Sequence, residues 1–203
     1  MSEFFSNEKY KFIFIHIPKT GGTSVKKILS EKIKINDIKF TDELVEYKKS
    51  THIKITKKQF NKYSNYLKFT FVRHPYDWIK SYYNFHYNKD KFYKNLTKKK
   101  INKTITINFD EWLNTLTNFN QTDFITDNDT FLVDYICKLE NFNEEMKFIL
   151  KKLNINSEFN NIKMKDSKKF KIDTIKELNN EQKLKIQKIC YNDFRLLKYK
   201  IFI

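Results

Sequence analysis

Two nearly continuous apolar runs in the first half of the chain predict buried β-strands. Residues 11–17 read KFIFIHI and residues 67–73 read LKFTFVR. Aromatic and β-branched residues without polar alternation are typical of strands covered on both faces, as in a parallel sheet. A third run, TFLVDYICKL at residues 130–139, predicts another strand.

Apolar residues at helical spacing follow these strands. Thr23 is expected to cap a helix that carries Val25, Ile28 and Leu29, and Pro75 suits the first turn of a helix reaching about Tyr87. Further helices are predicted over residues 41–48, 56–66, 109–119, 142–153 and 186–194, with a lysine-rich loop at 89–106. Strands alternating with helices predict an α/β fold whose central, mostly parallel sheet is flanked by helices.

The chain of 203 residues predicts one domain, residues 1–203. Its longest clean apolar stretch, residues 12–15, is too short to span a bilayer, and residues 1–11 lack a signal-peptide pattern. The two cysteines, Cys137 and Cys190, cannot form a disulfide framework. We therefore expect a soluble, cytoplasmic protein.

The composition is strongly biased and makes a few residues informative. The chain has no alanine, two glycines and two prolines, and of its 40 basic residues only Arg73 and Arg195 are arginine. Average usage would give roughly 14 glycines and about 10 prolines. Since these residues have GC-rich codons, the bias indicates an AT-rich genome, and the survivors mark positions where a substitute is not tolerated.

The net charge of +16 fits an anionic partner, such as nucleic acid, an anionic membrane or a polyanionic substrate. Lysine codons are AT-rich, so the same bias contributes to the excess of positive charge. The charge alone therefore does not decide between an anionic ligand and a solvated basic surface.

Both glycines lie in one segment, Pro18-Lys19-Thr20-Gly21-Gly22-Thr23-Ser24, between the first strand and its helix. Glycines at such a junction let backbone N–H groups close on an anion, and the helix N-terminus adds a partial positive charge. Lys19 adds a full charge, and the hydroxyl groups add donors. The pattern predicts a site for a phosphate-like group, with a plain tight turn as the alternative.

This segment does not match the common nucleotide-binding motifs. The ATP/GTP P-loop places lysine directly after its second glycine, whereas Lys19 precedes the glycine pair. A dinucleotide fingerprint needs three glycines and the chain has two.

Arg73 ends the second strand, in the sequence Phe71-Val72-Arg73-His74-Pro75, and Ser81 follows eight residues later. Ligands of open α/β sheets gather at the carboxyl ends of strands. Arginine offers phosphate a two-pronged contact that lysine cannot match. Retention of arginine here predicts an anion contact, against the alternative of a surface ion pair. Arg195 has no comparable context.

Together, PKTGGTS and FTFVRHPYDW…S resemble the family-2 sulfotransferases, which transfer sulfuryl from 3′-phosphoadenosine 5′-phosphosulfate (PAPS), chiefly to carbohydrate hydroxyls. The stretches VDYI…LENF at 133–142 and YNDF…Y at 191–199 extend the resemblance over about residues 11–199. Trp78 departs from the family pattern, which often has arginine there. The resemblance implies a P-loop-like, three-layer fold.

The resemblance also implies site residues. Lys19, Thr20, Gly21, Gly22, Thr23 and Ser24 would hold the 5′-phosphosulfate, and Arg73 and Ser81 the 3′-phosphate. The segment Lys165-Asp166-Ser167-Lys168 would contact the nucleotide, which makes Lys168 a further candidate. Adenosine 3′,5′-bisphosphate would be the product, and no metal is expected.

A histidine is suited to take the proton of an acceptor hydroxyl near neutral pH. Family members commonly carry a catalytic histidine about 20 residues before the arginine, which selects His52. His16 is the alternative base. His74 is expected to hydrogen-bond locally, and His86 to lie on the surface or at the edge of the core. Lys19 would neutralise charge that develops on the leaving oxygen.

Three functions therefore stand at this point. The first is a PAPS-dependent sulfotransferase that acts on a hydroxyl acceptor. The resemblance favours a carbohydrate, and the positive charge favours an anionic one without fixing its identity. The second is an NTP-dependent kinase on the same layered fold, against which the missing P-loop lysine argues. The third is a non-enzymatic basic module that binds glycan or RNA, with nucleic acid the less favoured partner.

Overall fold

A computed structural model describes residues 3–7, 9–33, 39–40, 57–87, 107–160 and 177–202. Its residues cluster in two compact units. We call Met1–Arg73 with Gln121–Met164 the sheet unit, and His74–Asn120 with Lys165–Ile203 the helical unit. The expectation of one domain over residues 1–203 stays a prediction.

The sheet unit contains the strands β1 to β7 and the helices α1, α2 and α5. The strands are β1 Glu3–Asn7, β2 Phe12–His16, β3 Lys39–Phe40, β4 Leu67–Val72, β5 Thr126–Asp127, β6 Thr130–Phe131 and β7 Tyr135–Lys138. The helices are α1 Gly22–Lys32, α2 Lys57–Lys62 and α5 Phe142–Lys152, with 3₁₀ turns at Thr122–Phe124 and Leu139–Asn141. The strands β2 and β4 lie where the apolar runs predicted them.

The main sheet has the strand order β3-β1-β2-β4-β7. The pairs β2–β4 and β4–β7 are parallel, whereas β1 is antiparallel to both β2 and β3. The three parallel strands β2, β4 and β7 confirm the α/β expectation. The antiparallel strands β1 and β3 were not predicted from the sequence, because β3 has two residues and β1 carries no clear apolar run.

The core of the sheet unit lies on one face of the parallel strands. Alternate residues of β2 and β4 contribute their aromatic side chains, and α1 and α5 cover them with aliphatic ones. The fully buried members are Phe12, Phe14, Phe69, Phe71, Val25, Leu29, Met146, Ile149 and Leu150. Ile13 and Ile15 on the opposite face are also buried, as expected for a strand covered on both sides.

The predicted third strand at 130–139 is wrong in its extent. Residues 130–131 instead pair with β5 in a hairpin whose turn residues, Asn128 and Asp129, have φ of 46° and 63°. Asp134 interrupts the run: its N–H donates to the Lys68 carbonyl (2.8 Å), and its carboxylate accepts from the Lys68 N–H (2.6 Å). Only β7 joins the main sheet, beside β4.

The helical unit contains α3 Pro75–Tyr87, α4 Phe109–Thr115, α6 Asn180–Ile189 and α7 Tyr191–Leu196. α3 has the predicted bounds. The predicted last helix is two helices, because the chain breaks helical geometry at Cys190 (φ −102°, ψ 31°). Capping boxes begin α4 at Asn108 and α6 at Asn179.

The core of the helical unit is aromatic. Trp78 is fully buried and stacks on Phe119, with ring centroids 4.7 Å apart and an interplanar angle of 16°. Tyr83 contacts Phe109 and Trp112. The family-typical arginine is thus replaced at position 78 by a side chain that serves packing.

Candidate active site

The loop that joins β2 to α1 has an unusual backbone. Lys19 and Gly21 both lie in the left-handed region, with φ of 69° and 89°. That conformation costs a residue with a side chain about 1–2 kcal/mol, whereas glycine adopts it freely. Gly21 is therefore required for its dihedral angles, and Lys19 holds a strained conformation of the kind found at functional sites.

Gly22 is required for a different reason, which is close packing. A Cβ atom built on Gly22 would lie 2.0 Å from Cδ2 and 2.1 Å from Nε2 of the His16 ring. No real side chain tolerates such distances, so only glycine lets α1 start against the histidine. The two glycines of the predicted anion loop thus answer to separate physical demands.

The helix α1 begins two residues earlier than predicted. Gly21, rather than Thr23, is the N-cap residue, and no side chain makes a cap hydrogen bond. The predicted capping role of Thr23 is therefore wrong, because the helix already includes Gly22, and Thr23 lies exposed in its first turn.

This start leaves backbone donors at the loop. The N–H groups of Ser24 and Val25 both donate to the Gly21 carbonyl, at 2.9 and 3.2 Å. The N–H groups of Gly22 and Thr23, at the first two helical positions, have no carbonyl within α1 to bond. They and the positive end of the helix favour an anion at the loop.

The hydroxyl of Thr20 serves the loop itself. Its Oγ1 donates to the Ile17 carbonyl (2.8 Å), and the side chain is fully buried. Of the two parts of Thr20 that could donate to a ligand, the hydroxyl is committed to holding the turn closed. Ser24, by contrast, is half-buried on the first turn of α1.

His16 ends β2 directly beneath this loop. Burial, and then neighbouring positive charges that include Lys19 and Lys26, lowers the pKa of His16 to about 4. The imidazole is consequently neutral at physiological pH. Its ring stacks on Phe14, with centroids 6.0 Å apart.

Arg73 follows the last residue of β4, and the parallel pairing of β2 with β4 carries both strand ends to the same edge of the sheet. The structure therefore brings Arg73 to the edge at which the Lys19–Ser24 loop begins, as the sequence predicted.

The main chain of Arg73 is held by a residue that the sequence analysis missed. The Arg73 N–H donates to Gln121 Oε1, and Gln121 Nε2 donates to the Arg73 carbonyl, both at 2.7 Å. Gln121 is fully buried. In the sequence, Gln121 stands about ten residues before the apolar run at 130–139. No local pattern sets it apart from an ordinary surface glutamine.

Three further residues of the predicted site are Ser81, His52 and Lys168. Ser81 lies half-buried on α3 in the helical unit. His52 and Lys168 lie outside the described residues. Their roles stay predictions.

His74 has a hydrogen-bond partner that is distant in sequence, unlike the local one that we predicted. Its Nε2 lies 3.0 Å from the Lys200 carbonyl, and its ring contacts four aromatic side chains: Tyr76, Phe194, Tyr199 and Phe202. This histidine helps to fasten the segment after α7 to the start of α3. The side chain of His86 lies outside the described set.

Two further findings concern only the described part of the chain. Within it, no three histidine, cysteine, aspartate or glutamate side chains form a group able to hold a metal ion. No helix within those ranges is long and apolar enough to cross a bilayer.

Comparison with known proteins agrees with the geometry of the strand ends. A model of the sulfotransferase family matches residues 2–200, nearly the whole chain. Searches of curated proteins and of solved structures found no match. Because the family match includes both the glycine loop and the Arg73 strand end, the chain belongs to the family-2 sulfotransferases, enzymes that transfer a sulfuryl group from a nucleotide donor to an acceptor.

Proposed function

We propose that the protein transfers sulfuryl from PAPS to a hydroxyl of a carbohydrate acceptor, on a P-loop-like three-layer fold. The observation that carries the proposal is the strained loop after β2, which lies at the same sheet edge as Arg73. Two separated anion-binding elements suit a donor with a phosphosulfate at one end and a 3′-phosphate at the other.

The donor set of the loop fits a phosphosulfate. The N–H groups of Gly22 and Thr23 and the ammonium of Lys19 supply fixed and mobile positive charge. PAPS supplies the sulfuryl group and leaves as adenosine 3′,5′-bisphosphate. Lys19 stabilises the negative charge that grows on the leaving oxygen, and Arg73 with Ser81 and Lys168 holds the rest of the nucleotide.

We propose His52 as the general base that takes the acceptor proton. The pKa of His16, lowered to about 4, argues against the alternative, because so weak a base accepts a proton poorly near neutral pH. His74 is engaged by Lys200 and by aromatic rings. No metal enters the proposal, since a sulfuryl group carries less charge than a phosphoryl group.

Titration calorimetry with adenosine 3′,5′-bisphosphate tests donor binding. We expect binding in the micromolar range, much weaker binding of AMP, and a loss of about tenfold or more in Lys19→Ala, since a charge-assisted hydrogen bond contributes about 1.5–3 kcal/mol. Equal binding of AMP and the bisphosphate would refute the proposed donor. Lys198→Ala, outside the loop, is the matched lysine control.

Sulfate transfer from labelled PAPS to a glycan array tests the acceptor and the base. We expect His52→Ala to keep the bisphosphate affinity and to lose transfer. Retained transfer would show that a group other than His52 is the base. Salt-sensitive glycan or RNA binding that survives both Lys19→Ala and Arg73→Ala, without transfer, would instead indicate a binding module.

A further inference from the structure

The side-chain amide of Gln121 takes the place of a neighbouring strand at the end of β4. The pairing of β4 with β2 ends at Thr70, and its pairing with β7 ends at Val72. Beyond these ladders, Gln121 both accepts from the Arg73 N–H and donates to the Arg73 carbonyl. One amide thus satisfies both main-chain polar groups of Arg73, as a paired strand would.

Gln121 precedes a turn that is held by several hydrogen bonds. The Phe124 N–H donates to the Gln121 carbonyl (3.1 Å), which opens the 3₁₀ turn Thr122–Phe124. The Thr126 hydroxyl donates to the Thr122 carbonyl (2.9 Å), and Leu132 N–H donates to the Ile125 carbonyl (2.7 Å). The backbone from which the Gln121 side chain extends is therefore held by hydrogen bonds.

The main-chain conformation at Arg73 sets the direction in which its side chain leaves the backbone. A guanidinium binds phosphate best when its two parallel N–H groups meet two oxygens, so an error in direction costs affinity. Sites gain precision when neighbouring side chains lock the binding residue by hydrogen bonds. Glutamine is suited to this lock because its neutral amide carries both a donor and an acceptor.

We infer that Gln121 is a positioning residue, which holds the Arg73 main chain so that the guanidinium meets the 3′-phosphate of the donor. The inference rests on the proposed function, since that function gives Arg73 its ligand. It assigns to Gln121 no contact with the nucleotide.

The test compares Gln121→Glu with Asn120→Asp. Gln121→Glu keeps the shape of the side chain and the oxygen that accepts from the Arg73 N–H. It replaces the amide NH₂, which donates to the Arg73 carbonyl, with a second oxygen that repels this carbonyl. Asn120 is a matched control: it is 1% exposed, and its Oδ1 accepts from the Asp193 N–H (3.3 Å) rather than from Arg73. Both variants place an acid at a buried amide.

The readout is the ratio of affinities for adenosine 3′,5′-bisphosphate and for AMP, measured by calorimetry at pH 7. We expect Gln121→Glu to weaken bisphosphate binding about tenfold and AMP binding less than about twofold. Asn120→Asp should keep the wild-type ratio. Lowering the pH should restore the ratio in Gln121→Glu, because the protonated acid again offers a donor.

Two failures are distinguishable. A wild-type protein that binds both ligands equally refutes the proposed donor, and with it the ligand of Arg73. A wild-type preference for the bisphosphate that Gln121→Glu keeps, or that both variants lose alike, overturns the positioning role alone. If Gln121→Glu does not fold, Gln121→Asn replaces it. Asparagine keeps the amide on a side chain one methylene shorter, and the same affinity ratio decides the outcome.

Discussion

The two strand ends of the candidate site are built in opposite ways. After β2, the chain shapes the loop with its own neighbouring residues: Lys19 and Gly21 in left-handed conformations, and Gly22 against His16. After β4, Arg73 is placed by Gln121, which lies 48 residues away in sequence. A loop shaped by neighbouring residues can be recognised in the sequence. A residue held by a partner that is distant in sequence cannot.

Gly22→Ala is expected to have the largest effect on the stability of the loop after β2. The added Cβ would lie about 2 Å from the His16 ring, and we expect a loss of about 3 kcal/mol or more in the free energy of unfolding. Chemical denaturation measures the loss. In a His16→Ala background, the same substitution should cost less than about 1 kcal/mol; an equal cost in both backgrounds would show that the contact is not the cause.

A second effect, of about 2 kcal/mol, concerns His16 and pH. The pKa of His16 is lowered in the folded chain to about 4 from an ordinary value near 6.5, so between these values the unfolded chain binds the extra proton. Stability contributed by His16 is present above pH 6.5 and is lost as the pH falls towards 4. We expect about 2 kcal/mol of this loss between pH 7.5 and 5.

Denaturation of the wild type and of His16→Gln at both pH values isolates this effect, since glutamine does not titrate. The wild type should lose more stability than the variant on acidification. Parallel losses in the two proteins would mean that His16 keeps an ordinary pKa in the fold.

The smallest effect is expected for Gly21, which needs a dihedral angle rather than space. Gly21→Ala should cost about 1–2 kcal/mol, and Gly21→Asn less, because asparagine tolerates left-handed φ better than alanine. Thermal or chemical denaturation orders the three proteins. A Gly21→Ala cost as large as that of Gly22→Ala would erase the distinction between the two glycines.

Sequence reasoning located the parts of the fold that rest on composition and periodicity. The apolar runs of β2 and β4 and the bounds of α3 were predicted, as was the loop that carries both glycines. It missed β1 and β3, which join the sheet by backbone pairing, and the break at Asp134, which depends on the Lys68 peptide. Such features depend on residues that meet only in the folded chain.

The site shows the same division. Gly21 and Gly22 stand out because glycine is rare in this chain. The sequence does not show that Gly21 is needed for its positive φ and Gly22 for its close packing against the His16 ring. Gln121 carried no signal, because its partner is the main chain of Arg73, which is the same whatever residue follows β4. Side chains that bind backbone leave no complementary residue type to recognise.

The Arg73–Gln121 pair also has a consequence for the order in which the site assembles. Joining positions 48 residues apart costs roughly 3 kcal/mol of loop-closure entropy. Two neutral hydrogen bonds return only about 0.5–1.5 kcal/mol each. Because the two hydrogen bonds at most offset this cost, we expect the pair to form once β7 has docked beside β4. A partly folded chain can therefore possess the glycine loop while Arg73 still lacks a fixed direction. Under the proposed function, the 3′-phosphate would be discriminated only once the sheet is complete.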